Sequence, residues 1–185
     1  MTDPHMFAPS DILSFWFSEE AKPKWFARDD GFDAELRRRF GALLVKARQG
    51  EFAHWAENPD GALALVILLD QLPRNVHRGT PQAFAADDLA LATAKQAIAQ
   101  GYDLRLTPEG RGFLYLPFEH SEDLADQDKG VALFEALGSE ELLDYMRRHR
   151  DIIARFGRFP HRNAILGRNS TAEEIEFLKQ PGSSF

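Results

Sequence analysis

The sequence lacks the residue patterns by which several enzyme classes are recognised. It contains no cysteine, which excludes disulfides, thiolate catalysis and cysteine-ligated zinc. It also contains no Gly-x-Ser-x-Gly elbow, no glycine-rich phosphate loop and no paired-glycine dinucleotide motif. The sequence therefore indicates no cofactor, and it does not name a reaction.

An excess of positive charge and a long apolar run are missing as well. The 22 lysines and arginines stand against 29 acidic residues, a net charge of -7, whereas proteins that bind nucleic acid usually present a basic face. The longest apolar run, residues 62–69, is far shorter than the roughly 20 residues that span a bilayer. Residues 1–9 lack the pattern of a signal peptide. We expect a cytoplasmic protein with no nucleic-acid partner and no membrane partner.

What the sequence does contain is helical signal along nearly its whole length. Residues 33–47 carry apolar side chains at the spacing of one helix face. Asn58, Pro59 and Asp60 place a cap, a first-turn proline and a first-turn acid before the apolar run 62–69. That run could instead be a buried parallel strand, but the cap and the scarcity of other strand patterns favour a helix buried on all sides.

Further helix starts are predicted where a serine or threonine precedes proline or acidic residues. These caps are Thr80, Thr107, Ser121, Ser139 and Ser170, the last in a capping box with Glu173. The signals together predict an all-α protein of about seven to nine helices in a multi-helix antiparallel array. We expect one domain over residues 1–185, with residues 1–9 flexible and residues 180–185 as a tail.

One phrase occurs twice, each time after an apolar helical stretch. The first copy spans residues 72–79 and the second spans residues 159–168, and each contains a proline followed by an Arg-Asn pair. The proline is expected to stop the preceding helix, which puts a planar cation and an amide at the helix mouth. That chemistry suits an anion, a carboxylate or backbone carbonyls, and it suits a purely structural corner equally well. An internal duplication is a further alternative, although no period typical of helical repeats is present.

The two copies and their neighbours supply the candidate ligand-binding residues. The segment around the second copy contains several arginines and no lysine, and arginine suits bidentate recognition of carboxylate or phosphate. Asp70, four residues before Arg74, either forms a structural ion pair at the helix end or orients an arginine towards a cleft. The candidate ligand-binding residues are Asp70, Arg74, Arg78, Arg158, His161, Arg162, Asn163 and Arg168.

The candidate catalytic residues are Glu119, His120 and Glu122, which follow Pro117 at an expected helix break. An imidazole flanked by acids can act as a general base. The alternative assigns the same side chains to helix capping and structural hydrogen bonds.

The remaining histidines give no metal prediction. His149 falls on the apolar stripe of its helix, so its ring is expected to point inwards as a hydrogen-bonded core residue. A metal site would need His120, His149 and His161 to meet, but no pair of them has the i, i+4 spacing of a helical zinc site.

Four separated motifs are distinctive in their order along the chain. They are Phe-Trp-Phe at 15–17, Leu-Asp-Gln-Leu-Pro-Arg-Asn at 69–75, Leu-Pro-Phe-Glu-His-Ser-Glu at 116–122, and residues 155–168. Together they resemble a bacterial family known as domain of unknown function 924, and the resemblance runs over nearly the whole chain. It implies an all-helical fold similar to tetratricopeptide-repeat proteins, and it implies no activity, cofactor or catalytic residue.

The two copies of the phrase, residues 72–79 and 159–168, are called the first and second Arg-Asn corners together with the arginines that flank them. These observations favour a polar cleft lined by the two Arg-Asn corners and the segment 117–122. We expect the cleft to bind a small anionic ligand or an acidic peptide, with Arg74, Arg158 and Arg162 as anchors. The alternative from another class is a hydrolase in which His120, with Glu119 or Glu122, activates water on an anionic substrate. A third possibility is a scaffold whose polar corners are purely structural.

Overall fold

Helices form the fold throughout residues 7–185, the part of the chain that the computed structural model describes. The α-helices are α1 (Pro9–Trp16), α2 (Asp30–Arg48), α3 (Pro59–Val66), α4 (Leu72–Val76), α5 (Asp87–Ala99), α6 (Pro108–His120), α7 (Leu124–Leu137), α8 (Glu140–Phe156) and α9 (Ala172–Leu178). The prediction of an all-α protein is confirmed, and the likeness to tetratricopeptide-repeat proteins stays a prediction. Of the segment 1–9 expected to be flexible, residues 1–6 lie outside the described residues, and Pro9 begins α1. None of the described helices is long and apolar enough to cross a membrane.

The centre of the molecule is a helical rod made of α3, one π-helical turn (Ile67–Gln71) and α4. Every residue of the apolar run 62–69 is buried, because α1, α2, α5 and α6 pack around the rod. The prediction of a helix rather than a strand is confirmed for this run. Asn58 caps α3 as predicted, and its side chain accepts the Gly61 N–H at 2.9 Å.

Small residues set the spacing between neighbouring helices. The buried face of α5 consists of Ala90, Ala94 and Ala97, which lets α5 approach α3 closely. Gly130 does the same between α7 and α8, since a Cβ there would lie 2.8 Å from Met146 Sδ. These contacts bring the second half of the chain onto the central rod.

Helices α6, α7 and α8 pack in sequence order and carry the second half of the site. Thr107 and Ser139 cap α6 and α8 as predicted. Ser121 is not the cap of α7, because the Asp123 carboxylate takes the N–H groups of the first turn instead. His149 of α8 is buried, as its place on the apolar stripe predicts.

Two prolines that were expected to end or break a helix lie inside helices, whereas α8 does end before Pro160. Pro73 lies inside α4, although a proline ring in an α-helix clashes with the carbonyl four residues earlier. The wider π turn immediately before it, in which the Leu72 N–H bonds to Ile67 O, accommodates the ring. Pro117 likewise lies inside α6, which runs on to His120. The expected helix stop at Pro73 and the expected break at Pro117 are therefore wrong.

Two other helices begin later than predicted, one by a single residue and the other by a whole short turn. The capping box of α9 is formed by Thr171 and Glu174, one residue later than the predicted box that begins at Ser170. Thr80 precedes only a short 3₁₀ turn, and α5 begins at Asp87. The local rules find the right segments, but adjacent polar residues compete for the cap.

The segment 180–185, expected as a tail, folds back onto α8. Ser183 is buried and its Oγ donates to Leu178 O at 3.1 Å. The Phe185 ring stacks on the His149 ring with centroids 3.7 Å apart. This segment therefore covers one side of a buried histidine.

The central rod yields a stability prediction at Leu68, whose side chain is 0% exposed. We expect Leu68→Ala to lower the free energy of unfolding by about 2–5 kcal/mol through lost transfer energy and a residual cavity. Urea denaturation measures this change. Val45→Ala on α2, at a side chain that is 57% exposed, serves as the control and should stay within about 0.5 kcal/mol. A loss below about 1 kcal/mol for Leu68→Ala would contradict the central place of this helix.

Candidate functional site

A fully buried carboxylate, Asp70, lies at the centre of the site on the π turn. Its Oδ2 accepts from Gln71 Nε2 at 2.6 Å, while its Oδ1 lies 2.7 Å from His120 Nδ1 and 3.4 Å from Arg74 Nη1. Burial alone would raise the pKa of Asp70, but His120 and Arg74 hold that pKa below its usual range. Asp70 is therefore an ionised carboxylate inside the core.

A second carboxylate, Asp87, joins the arginines of the two repeated corners. Arg74 donates to both oxygens of Asp87, at 2.8 and 2.9 Å, and to Asp70 O at 2.7 Å. Arg162 Nη1 lies 3.6 Å from Asp87 Oδ2. Asp87 is the first residue of α5, where the helix dipole favours an acid. The two arginines offset the two aspartates in a region where an unpaired charge would be strongly unfavourable.

His120, the last residue of α6, is held in one tautomer by Asp70. An ionised carboxylate can only accept, so His120 Nδ1 carries the proton of their 2.7 Å hydrogen bond. Burial, together with Arg74, lowers the pKa of His120 below its usual value although Asp70 opposes this. The imidazole is therefore neutral at neutral pH, which leaves Nε2 as an acceptor, and no hydrogen bond to Nε2 is found within residues 7–185.

Two further buried groups, Glu119 and His149, are uncharged. Glu119 Oε1 lies 3.5 Å from His149 Nδ1, and that nitrogen donates to Tyr145 O at 2.8 Å. Burial, together with Asp70, raises the pKa of Glu119 to about 8. Burial lowers the pKa of His149 to about 3. Both groups are therefore neutral at neutral pH, which keeps excess charge out of the core.

A cavity of about 420 Å³ opens beside His120 and Arg162. Its size and its mixture of apolar and polar side chains are typical of a small-molecule site. The apolar lining is Pro81, Phe84, Ala85, Leu91, Pro117 and Leu166, and the polar lining is Asp87, Asp88, His120, Ser121, Glu122 and Arg162.

Arg162 has unused hydrogen-bonding capacity at this cavity. Its guanidinium lies between two rings, 4.6 Å from the Phe84 centroid and 4.5 Å from the Phe159 centroid. Nη2 donates to His120 O at 3.1 Å, whereas the buried Nε has no partner in residues 7–185. Burial, together with Arg74, lowers the pKa of Arg162 to about 10, so this side chain is still charged at neutral pH.

The rest of the first corner fastens the rod to α2 and does not line the cavity. Arg78 donates to both oxygens of Asp33, at 2.9 and 3.1 Å, and Asn75 Nδ2 donates to the same carboxylate at 2.8 Å. Asp33 is a nearly buried residue of α2. The predicted ligand-binding residue Arg78 is thus engaged by a carboxylate of the protein itself.

The second corner repeats this arrangement with α9. Arg158 donates to both oxygens of Glu174, at 2.7 and 2.8 Å, and to Asn169 O at 2.8 Å. Asn163 Nδ2 lies 3.3 Å from Glu174 Oε2, which it can donate to. Neither Arg158 nor Asn163 lines the cavity.

Glu122 lines the cavity, but its oxygens are occupied. Arg168 donates to both of them, at 2.7 and 2.9 Å, and the Phe159 N–H donates at 2.8 Å. Burial alone would raise the pKa of Glu122, but Arg168 and the Phe159 N–H bring that pKa below its usual range. Of the three catalytic candidates, His120 combines a place on the cavity with an unengaged atom, while Glu119 lies outside the lining.

His161 lies beside aromatic rings and not in the cavity lining. Its ring centroid is 5.7 Å from that of Phe159 and 6.0 Å from that of Phe185. Burial, together with Arg162, lowers the pKa of His161 to about 4. Within residues 7–185 no three metal-ligating side chains come together as a metal site would require.

Sequence reasoning missed Asp87, the acid that both corner arginines reach, and the rings that enclose Arg162. Asp87 looks like an ordinary first-turn acid of α5. No local pattern distinguishes it, because its pairing depends on contact between residues far apart in the chain.

Comparisons with known proteins agree with this fold. Residues 12–182 match the family described as bacterial protein of unknown function (DUF924). The fold is similar to a solved structure, that of the protein of unknown function ATU0120 from Agrobacterium tumefaciens, with a TM-score of 0.88. The two sequences are 42% identical, and the match covers 92% of this chain and 96% of that chain. No curated protein matches the sequence.

The buried acid Glu119 yields a prediction for the pH dependence of stability. Its folded pKa of about 8 lies above its ordinary value of 4.5, so the folded state binds this proton more tightly than the unfolded state. The contribution to stability is complete below about pH 4.5 and is lost as the pH rises towards about 8. We expect Glu119→Gln, which imitates the neutral acid, to lose less stability between about pH 5 and about pH 8 than the parent in urea denaturation. Glu57→Gln, at an exposed acid, is the control; identical pH dependence in the parent and Glu119→Gln would contradict a neutral Glu119.

Proposed function

The chain belongs to the DUF924 family of bacterial proteins of unknown function, and from the geometry of its cavity we propose that it binds a small anionic ligand. Arg162 is the anchor, and His120 lines the cavity beside it. Asp70 and Arg74 act from behind the cavity by fixing His120 and Asp87.

The observation that carries this proposal is the difference between Arg162 and the other corner arginines. Arg74, Arg78, Arg158 and Arg168 each make two hydrogen bonds to one carboxylate of the protein. Arg162 makes no such pair, although it is 6% exposed and lies on the cavity. A buried guanidinium with unsatisfied donors is costly unless a ligand completes its hydrogen bonds.

The surroundings favour a small molecule over an acidic peptide. Phe84, Leu91 and Leu166 provide apolar contacts for the body of a ligand. Asp88 and Glu122 at the same cavity would repel a chain that carries several acidic side chains. One anionic group next to Arg162 with an apolar remainder fits both features.

A thermal-shift and calorimetric panel tests this binding with acetate, hexanoate, benzoate, inorganic phosphate and phenyl phosphate. At least one anion should raise the melting temperature with increasing concentration, because ligand binding to the folded state stabilises it by mass action. Arg162→Lys retains the charge but loses the planar fork, so it should weaken binding about 10- to 100-fold.

Two further variants show whether a loss of binding in Arg162→Lys comes from the binding site or from unfolding. Arg158→Lys changes a paired arginine outside the cavity lining and should leave the affinity unchanged. Ala85→Trp adds bulk at an exposed residue of the lining without touching a charge, and it should abolish binding. Absence of any shift in the parent, or binding that Ala85→Trp and Arg162→Lys leave intact, would overturn the proposal.

A second candidate function, hydrolysis by general acid–base catalysis, is favoured by the Asp70–His120 pair. The buried carboxylate holds the proton on Nδ1, which leaves Nε2 unprotonated in a residue that lines the cavity. A base oriented in this way can take a proton from water that attacks a substrate bound at Arg162. Ser121 is not suited as the nucleophile, because its Oγ donates to the Asp126 carboxylate and no hydrogen bond links it to His120 within residues 7–185.

Hydrolysis of the anionic substrate p-nitrophenyl phosphate tests the second candidate. If His120 is the base, His120→Gln should lower the rate by about 10²–10⁴-fold, and Asp70→Asn should lower it as well. The rate should fall as the pH drops through the lowered pKa of His120, below 6.5. Ser121→Ala should retain the rate, and a rate that survives His120→Gln would exclude this function.

A further inference from the structure

Four charged groups that contact one another beside the cavity balance before any ligand arrives. Arg74 and Arg162 offset Asp70 and Asp87, and all four lie in one contact network with His120. An anion placed on Arg162 adds one negative charge to this balanced group. An uncompensated charge in a poorly hydrated region is unfavourable, so a compensating positive charge is needed.

His120 is the group placed to supply that positive charge. Its Nδ1–H already donates to Asp70, so a second proton on Nε2 would create an imidazolium held between two anions. The same Nε2–H would donate to the ligand, while Arg162 donates to it from the other side. Nδ1 and Nε2 thus connect the buried carboxylate to the cavity.

We propose that the cavity takes a small monocarboxylic acid, bound as a carboxylate on Arg162 together with one proton taken from solvent onto His120 Nε2. This inference rests on the anion-binding function proposed above and specifies its ligand class. The bound pair is neutral overall, so the charge balance of the site is the same before and after binding.

A carboxylate fits this stoichiometry better than a phosphate does. Its two oxygens can accept one hydrogen bond from Arg162 and one from His120. A phosphate dianion would keep one uncompensated negative charge after the same proton uptake, next to Asp88 and Glu122 on the lining. The apolar side chains of Phe84, Leu91 and Leu166 on the cavity lining can contact the hydrocarbon part of such an acid.

The other ionisable groups around His120 are less suited to take up the proton. Glu119 is already protonated, because its pKa is raised to about 8. His149, whose ring centroid lies 6.4 Å from that of His120, has a pKa of about 3 and is covered by Phe185.

Asp88 of α5 is an exposed residue of the lining, and the other charged groups near His120 are paired within the protein. Glu122 is held by Arg168, and Asp126 of α7 is paired with Lys95. Arg74 and Asp87 hold each other through two hydrogen bonds. His120 therefore remains the expected proton acceptor when an anion binds.

Isothermal titration calorimetry with benzoate and hexanoate tests the coupling in buffers that contain no carboxylate or phosphate, namely Tris, imidazole and Bis-Tris. The slope of the observed enthalpy against buffer ionisation enthalpy counts the protons taken up. At about pH 7 we expect uptake approaching one proton per ligand in the parent and in Glu119→Gln. His120→Asn should reduce uptake to near zero and weaken binding about 5- to 150-fold, the range of typical coupling between two sites.

The outcomes separate this inference from the proposed function. If none of the carboxylates or phosphates binds, both fail. Two outcomes would overturn only the present inference. In the first, benzoate or hexanoate binds and needs Arg162, but no proton is taken up. In the second, the His120→Asn variant takes up as many protons as the parent. Phenyl phosphate binding more tightly than benzoate in the same buffers would overturn the assignment to a carboxylate. Should His120→Asn fail to fold, the pH dependence of benzoate affinity in the parent decides, since proton uptake requires weaker binding at higher pH.

Discussion

The constraint on which the rest of the structure depends is the ionised carboxylate of Asp70 inside the core. A charge so far from water is tolerable only when hydrogen bonds and opposite charge surround it. Gln71, Arg74 and His120 provide that environment, and they come from the central rod and from the end of α6. The position of His120, and with it the chemistry available at the cavity, therefore follows from the need to compensate one buried aspartate. The π turn that carries Asp70 also accommodates Pro73, so the backbone irregularity and the polar centre occur in the same place.

The two Arg-Asn corners share one pattern of contacts although different helices surround them and Arg162 lacks the two hydrogen bonds that Arg74 makes to Asp87. In each corner the arginine reaches Asp87, while the asparagine contacts a second carboxylate that a further arginine holds through two hydrogen bonds. That carboxylate is Asp33 of α2 in the first corner and Glu174 of α9 in the second. The same short phrase thus fastens a peripheral helix to the core twice. The two copies therefore need the same local contacts, but they do not need the same pair of helices around them. This explains why the phrase recurs although no regular repeat lies between the copies.

Local rules predicted much of the fold and little of the site. Capping by Asn58, Thr107 and Ser139, and the burial of the run 62–69, follow from interactions within a few residues, which a sequence displays directly. The prediction for Pro73 was wrong because a π turn removes the clash between the proline ring and the preceding turn of the helix. Whether such a turn forms depends on how the rod packs, and no short-range sequence pattern encodes it. The partners of the arginines were also beyond reach, because Arg168 meets Glu122 and Arg162 meets Asp87 only after the helices pack. The sequence shows which charged side chains lie beside apolar stretches and so need a partner. It does not show which carboxylate pairs with each arginine.

The cationic segment near the end of the chain is consequently not a basic surface patch. Arg155, Arg158 and Arg168 are each paired with a glutamate, and the chain as a whole carries a net charge of -7. In the proposed binding mode, the attraction for an anion comes from one guanidinium close to two phenylalanine rings and from the imidazole of His120 once its Nε2 is protonated. A site of this kind discriminates by charge number and size more than by long-range attraction, because every added negative charge must be compensated within the cavity. The paired arginines keep the surrounding carboxylates in place, and under the proposed function Arg162 would therefore favour a ligand that carries little charge of its own.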